Sequence, residues 1–264
     1  MVNKNDAEVI AAWLKRYEEG DWEAKKNALS AIGNLALNSD ISGIDIEPLI
    51  NALNDEDYGV RFTAANVLGK LGDIRAIPHL IKALKEDDDK GVRRYAVISL
   101  GNLFCNNKGN VDNGLKGAII IALKDVDSGV RRAAVVALGD MLFYGDDELI
   151  IRKIKTMIYD KNASVRKAAS IAFGKVPKVE FIYLLINALK DDNDNVVDEA
   201  LKSLEASTKV INREYKFKIY SALINFIEEK DNDDQDNLVK QAKNCLKHIS
   251  GFTYEEYLLK KERI

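Results

Sequence analysis

One phrase recurs along this chain and constrains what the chain can fold into. Val60-Arg61, Ala64 and Leu68-Gly69 are followed by Val92-Arg93, Ala96 and Leu100-Gly101. The phrase returns as Val130-Arg131, Ala134 and Leu138-Gly139, and as Val165-Arg166, Ala169 and Phe173-Gly174. Weaker copies start at Ala24, Val196 and Leu238, so successive starts lie 31 to 42 residues apart. A unit of that length buries its apolar face only by stacking on its neighbours. The expectation is an all-α fold, an α-α superhelix of about seven antiparallel helix pairs.

Residues 46–72 show how one unit works. Ile46, Leu49, Ile50 and Leu53 fall at helical spacing, and Pro48 sits in the first turn, where its missing N–H costs nothing. A polar turn, Asn54 to Gly59, leads to a second helix with Val60, Ala64, Val67, Leu68 and Leu71 on one face. That helix is expected to end near Gly69 and Gly72, with the Gly after each Leu marking a helix end. Asp57, three residues before the anchor valine, is placed to accept from the first free N–H groups of the helix; Asp89, Asp127, Asn162 and Asn193 hold the same place. The alanine four residues after the anchor is small enough to let adjacent helices approach.

Five residues before the anchor stands another acid: Asp55, Asp125, Asp160 and Asp191. The turn of the third unit reads as one residue longer, which offers Glu86 or Asp87 for that role. These acids recur together with the arginines that follow the anchors, Arg61, Arg93, Arg131 and Arg166, as expected of a structural ladder bonding within or between units.

The D-x-x-x-x-V-R-x-x-A-x-x-x-L-G pattern resembles HEAT repeats, in the short variety named after the phycobilisome lyases. The resemblance covers residues 45–207 well and 13–36 and 208–250 loosely. It implies a solenoid over residues 1–250, with helix pairs near 7–36, 45–72, 76–104, 114–143, 147–176, 179–207 and 214–250. Residues 251–264 would form a helical tail. It also implies that first helices line a convex side and second helices a concave one. The end units depart from the pattern, with Ala24-Lys25 for Val-Arg and Val196-Val197 without an arginine, as caps facing water do. The stretch 106–114 is expected to be a mobile loop.

Composition narrows function by exclusion. Hydrophobic residues are 47% and charged residues 31%, with three prolines, which suits a folded helical chain. The net charge of −3 supplies no bulk attraction to nucleic acid or anionic membrane. No leader-like apolar segment and no membrane-length apolar run is apparent, and Cys105 and Cys245 are 140 residues apart, so a cytoplasmic protein is expected. Two isolated histidines, His79 and His248, and two isolated cysteines give no metal-ligand spacing, and no nucleophile triad or phosphate loop is present. No cofactor, metal or catalytic residue is therefore expected, and the chain is not expected to be an enzyme.

What remains is surface. Residues two, three and six after the anchors share the exposed side of the second helices. Phe62, Arg94, Tyr95, Ile98, Arg132, Val136 and Lys167 would form a basic, partly aromatic stripe. The leading expectation is a non-catalytic scaffold or adaptor that holds an acidic or amphipathic segment of a protein partner in its concave groove. A nucleic-acid-binding solenoid using the same stripe is disfavoured by the net charge. An accessory lyase or chaperone for a cofactor-bearing protein is the reading implied by resemblance alone. The oligomeric state is not encoded legibly.

Overall fold

The computed structural model describes residues 4–38, 44–111, 113–176, 178–209, 211–230, 236–250 and Tyr254. Among the described residues there are fourteen α-helices and no strand. They are α1 (Lys4–Glu19), α2 (Trp22–Asn38), α3 (Glu47–Asn51), α4 (Tyr58–Leu71), α5 (Ile77–Glu86), α6 (Lys90–Asn106) and α7 (Asn113–Ala122). They continue with α8 (Ser128–Met141), α9 (Glu148–Thr156), α10 (Ala163–Lys175), α11 (Val179–Ala188), α12 (Asp194–Ser207), α13 (Arg213–Glu229) and α14 (Asn237–Ser250). Single 3-10 turns extend α3 and α9, precede α5 and follow α8. Of the tail expected over 251–264, only Tyr254 lies among the described residues.

Two compact units divide the chain, residues 1–146 and 147–264. In the first, α2, α4, α6 and α8 pack each against the next, and α1, α3, α5 and α7 back them. In the second, α10, α12 and α14 make the equivalent row, with α11 and α13 behind. The core of each unit is apolar and shared between successive pairs. Val60, Val92, Val130, Val165 and Val196 are all fully buried, as are Ala64, Ala96, Ala134, Ala169 and Ala200.

The second helices start where the capping chemistry places them. The Asp57 carboxylate accepts from the N–H groups of Gly59 and Val60, Asp89 from Gly91 and Val92, and Asp127 from Gly129 and Val130. Asn162 and Asn193 each accept one, from Ser164 and Asn195. Each bond satisfies an N–H that the helix itself cannot.

Their ends differ from expectation. The Gly after each Leu does not terminate the helix: Gly69, Gly101, Gly139 and Gly174 all lie inside α4, α6, α8 and α10. The role of Gly69, Gly101 and Gly174 is close approach. A Cβ at Gly69 would lie 2.7 Å from the backbone Cα of Ser99, one at Gly101 2.9 Å from Ala137 Cβ, and one at Gly174 3.0 Å from Ser203 Cα. Ser99 and Ser203 use that proximity, donating to the Ala65 carbonyl at 2.8 Å and to the Ser170 carbonyl at 2.9 Å. The actual stop for α4 is Gly72, whose φ of 74° suits glycine.

The stretch after α6, expected to be a mobile loop, carries hydrogen bonds over Asn107–Val111. Asn107 donates to the Leu103 carbonyl at 2.9 Å, and the Gly109 N–H to the Phe104 carbonyl at 2.9 Å.

Candidate functional site

The exposed chemistry of this chain separates into cations that are spent on the fold and cations that are not. The spent ones form a chain of ion pairs between successive repeats. Arg61 grips Asp87 with two bonds, Nε to Oδ2 at 2.8 Å and the second guanidinium nitrogen to Oδ1 at 3.0 Å. Arg93 holds Asp125 with the same two distances, and Arg166 holds Asp191 at 2.6 and 2.7 Å. Each arginine turns its remaining nitrogen back onto its own repeat: Arg61 donates to the carbonyls of Asp55 and Glu56 at 3.0 Å, and Arg93 to those of Asp87 and Asp88 at 3.0 Å. Arg131, buried, donates to the carbonyls of Asp125 and Val126 at 2.9 and 3.1 Å, and Arg166 to that of Asp160 at 3.0 Å.

Each acid in turn accepts the peptide N–H two residues on, in the pairs Asp55–Asp57, Asp87–Asp89, Asp125–Asp127, Asp160–Asn162 and Asp191–Asn193. The third repeat has no extra residue. Asp87 fills its rung at the common offset of five before Val92, and Glu86 does not. The first repeat, where lysine replaces arginine, keeps the bridge, Lys25 Nζ lying 2.7 Å from Asp55. Burial pushes the Asp55 carboxyl upward, but Lys25, the Asp57 N–H and Arg61 together hold it below the usual carboxylate value. Burial, Arg93 and the Asp127 N–H act on Asp125 in the same way, with the same net lowering.

Three cations without an ion pair lie two residues after the anchors of the first unit. Lys26, Arg94 and Arg132 take part in no ion pair among the described residues. Lys26 stacks over the Trp22 ring at 4.8 Å, and Arg94 lies over the Tyr95 ring at 5.4 Å. Phe62 meets Tyr95 edge to face, with centroids 4.3 Å apart. Six of the seven stripe residues thus share one unit. A cleft of about 460 Å³ between α6 and α8 is lined by Arg94, Tyr95, Ile98, Arg132 and Val136, and also by Asn102, Cys105 and Asp140. Phe62 lines a neighbouring trough of about 410 Å³ with Tyr58, Lys90, Gly91, Arg94 and Gly129. Lys167 stands in the second unit, on α10, 3.9 Å from Glu199.

Other candidates carry less. Among the described residues no three His, Cys, Asp or Glu side chains converge to hold a metal ion. His79 is exposed, and His248 Nδ1 lies 2.5 Å from Glu205 Oε1. Burial, then the nearby Glu205 charge, pushes the Cys245 thiol up to about 12, so it stays protonated at neutral pH. No helix among the described residues is long and apolar enough to cross a membrane. The sequence singled out the stripe but missed Trp22 and Tyr58, which lie two residues before their anchors and are half exposed or more. The signal available was the i, i+4 pairing of Trp22 with Lys26 and of Tyr58 with Phe62 on one helix face.

Helix pairs whose second helices stack through small residues and are stitched by an Arg–Asp ladder define an α-solenoid repeat protein. The family model for HEAT repeats matches residues 10–101 and 115–205, and the chain belongs to that family. Two curated proteins are similar over short stretches. Phycocyanobilin lyase subunit alpha of Microchaete diplosiphon is 52% identical over 50 residues, 16% of this chain and 17% of that protein. A phycobilisome maturation protein of Synechococcus elongatus is 37% identical over 57 residues, 22% of this chain and 28% of that protein. The chain thus spans less than a third of the length of the curated relatives it matches.

Solved structures share the fold. The complex of CpcE and CpcF of phycocyanin lyase from Nostoc sp. PCC7120 matches with a TM-score of 0.51 and 23% identity, over 62% of this chain and 97% of that one. The Kap95p chain solved in connection with RanGDP matches with a TM-score of 0.68 and 15% identity, over 94% of this chain and 37% of that one.

The expectation that the chain is not an enzyme is corrected by the 52% match, because the same repeat is carried by a subunit of a lyase. The ligand inventory argued against metal and triad chemistry. It had no bearing on a reaction assisted by an open helical surface.

Proposed function

We propose that this protein is an accessory lyase or chaperone that assists the loading of a bilin-type cofactor onto a client protein. The observation that carries the reading is the local identity to a phycocyanobilin lyase subunit, 52% over 50 residues, supported by the 37% match to a phycobilisome maturation protein. The surface of the first unit suits that role. The α6–α8 cleft brings Tyr95, Ile98 and Val136 together with Arg94 and Arg132, which form no ion pair among the described residues, and with Asp140. Such a cleft favours an amphipathic, carboxylate-bearing segment: apolar area supplies affinity and the charges set register. A preformed helical stack loses little ordering entropy on binding, so the cost falls on the client segment.

The test is loading in vitro. Apo-phycocyanin and phycocyanobilin are incubated with and without the chain, and covalently retained pigment is measured on denaturing gels. The expected result is a higher rate or yield of correctly attached pigment, lost in Arg94→Glu/Arg132→Glu while the helical circular dichroism is unchanged. Identical loading with and without the chain, together with no binding of apo-client, rejects the reading.

A further inference from the structure

The positions two residues after the anchors of α2, α4, α6 and α8 read Lys26, Phe62, Arg94 and Arg132. They occupy equivalent places on four helices packed in succession, so they form a line that crosses the helices. Packed helices lie about 8–10 Å apart. A polyproline II chain makes one turn every three residues at 3.1 Å rise, about 9.3 Å per turn, so every third side chain faces the same way at that spacing. A β-strand cannot match it, because residues three apart point to opposite faces.

We propose that this line reads a partner segment in polyproline II conformation whose side chains follow the order acid, apolar, acid, acid at three-residue spacing. The proposal rests on the reading that this chain handles a protein client, and it specifies how the client is gripped. The three cations form no ion pair among the described residues, Lys26 and Arg94 resting only on the rings of Trp22 and Tyr95, whereas the ladder arginines Arg61 and Arg93 are each held by a carboxylate. The apolar position is built: Tyr58, 63% exposed, and Phe62 form one wall of the trough, and Lys90 and Arg94 the other. The Arg94 stem lies across Gly129, where a Cβ would meet its Cδ at 3.5 Å, and the Lys26 stem passes 3.9 Å from the corresponding point at Gly59.

The occupant is a protein segment rather than a nucleic acid. Asp89 and Asp127 line the same trough, each already bound to two helix N–H groups. A backbone with a charge on every nucleotide has to pass them. Carboxylates placed three residues apart bring one charge beside them, the one that faces Arg94.

The experiment uses the full chain and a fluorescent ten-residue peptide with Glu at positions 1, 7 and 10, Leu at 4, and Pro and Ala between, plus the same pattern in reverse order. Fluorescence anisotropy in 50 mM salt is expected to show saturable binding of one of the two, at least tenfold tighter than a composition-matched peptide with its Glu residues two apart. Arg132→Glu, an exposed change that breaks no ion pair, should weaken binding at least fivefold. Replacing the terminal Glu that faces it by Lys should restore affinity to that variant only. Equal binding of the scrambled peptide, no binding of either register, or tighter binding of a dT15 oligonucleotide with a steep salt slope overturns the proposal. Peptide recognition with no effect on pigment loading would leave the line standing and remove the loading function; the reverse result would do the opposite.

Discussion

At the scale of single residues, the sequence showed which arginines recur but not what each one touches. Arg93 and Arg94 are neighbours of one type. Arg93 is fixed by Asp125 and two carbonyls of its own turn, while Arg94 lies across a tyrosine ring and a glycine. The difference is the 100° of helical rotation between them, which the recurring motif encodes only for the first. Arg93→Ala should cost roughly 2–4 kcal/mol, because it leaves a half-buried carboxylate and two carbonyls without their donor. Arg94→Ala should cost little, and urea denaturation separates the two. The loss in Arg93→Ala should also depend on pH. Asp125 is held below its ordinary value in the fold. The corresponding stability is present above the unfolded carboxylate pKa of about 3.9, and is lost as pH falls through the lower folded value. The gap between wild type and variant should therefore be full at pH 7 and close progressively below about pH 4. A gap of constant size down to pH 2 would mean that the pair contributes through packing alone.

At the scale of the helix, the anchors, caps and small alanines were readable because each obeys a local rule of spacing. The glycines were misread because their reason is not local. Nothing in Leu68-Gly69-Lys70 says that Ser99 of the next helix will press against it; only the stacking of α4 on α6 does. The misreading makes a contrast that can be measured. Gly69→Ala puts a methyl 2.5 Å from Ser99 Cβ and 2.7 Å from its Cα, a clash with backbone that forces two helices apart. It should destabilise by about 1–3 kcal/mol despite the better helix propensity of alanine. Gly117→Ala, exposed inside α7 with nothing within 4 Å of the new methyl, should stabilise by about 0.5–1 kcal/mol. Opposite signs in thermal unfolding are the expected outcome; two changes of the same sign would show that propensity, not close approach, governs these positions.

At the scale of the whole chain, the fold class was written in the repeat itself, since a period of 31 to 42 residues leaves stacking as the one way to bury an apolar face. Function was not, because the stripe is defined by side chains that the fold leaves unused, and the motif says nothing about which those are. The same one-dimensional logic makes a last prediction. In a stack, each helix pair draws its stability from its own packing and from its immediate neighbours, and little from pairs further along. The chain moreover divides into units at residues 146 and 147. The strain introduced by Gly69→Ala acts between α4 and α6, through Ser99. Native-state hydrogen exchange should therefore show faster opening of the amides of α2, α4 and α6, by a factor of about 5–150 for the 1–3 kcal/mol expected. The amides of α12, which packs against α10, α11 and α14, should exchange at their original rates. Gly174→Ala should give the mirror result, because its methyl would meet Ser203 Cα at 3.0 Å and so loosens α10 and α12 while α4 is unaffected. Uniform acceleration along the chain in either variant would mean that the repeats open as one cooperative body, and nearest-neighbour stacking would then be the wrong account of what holds the chain together.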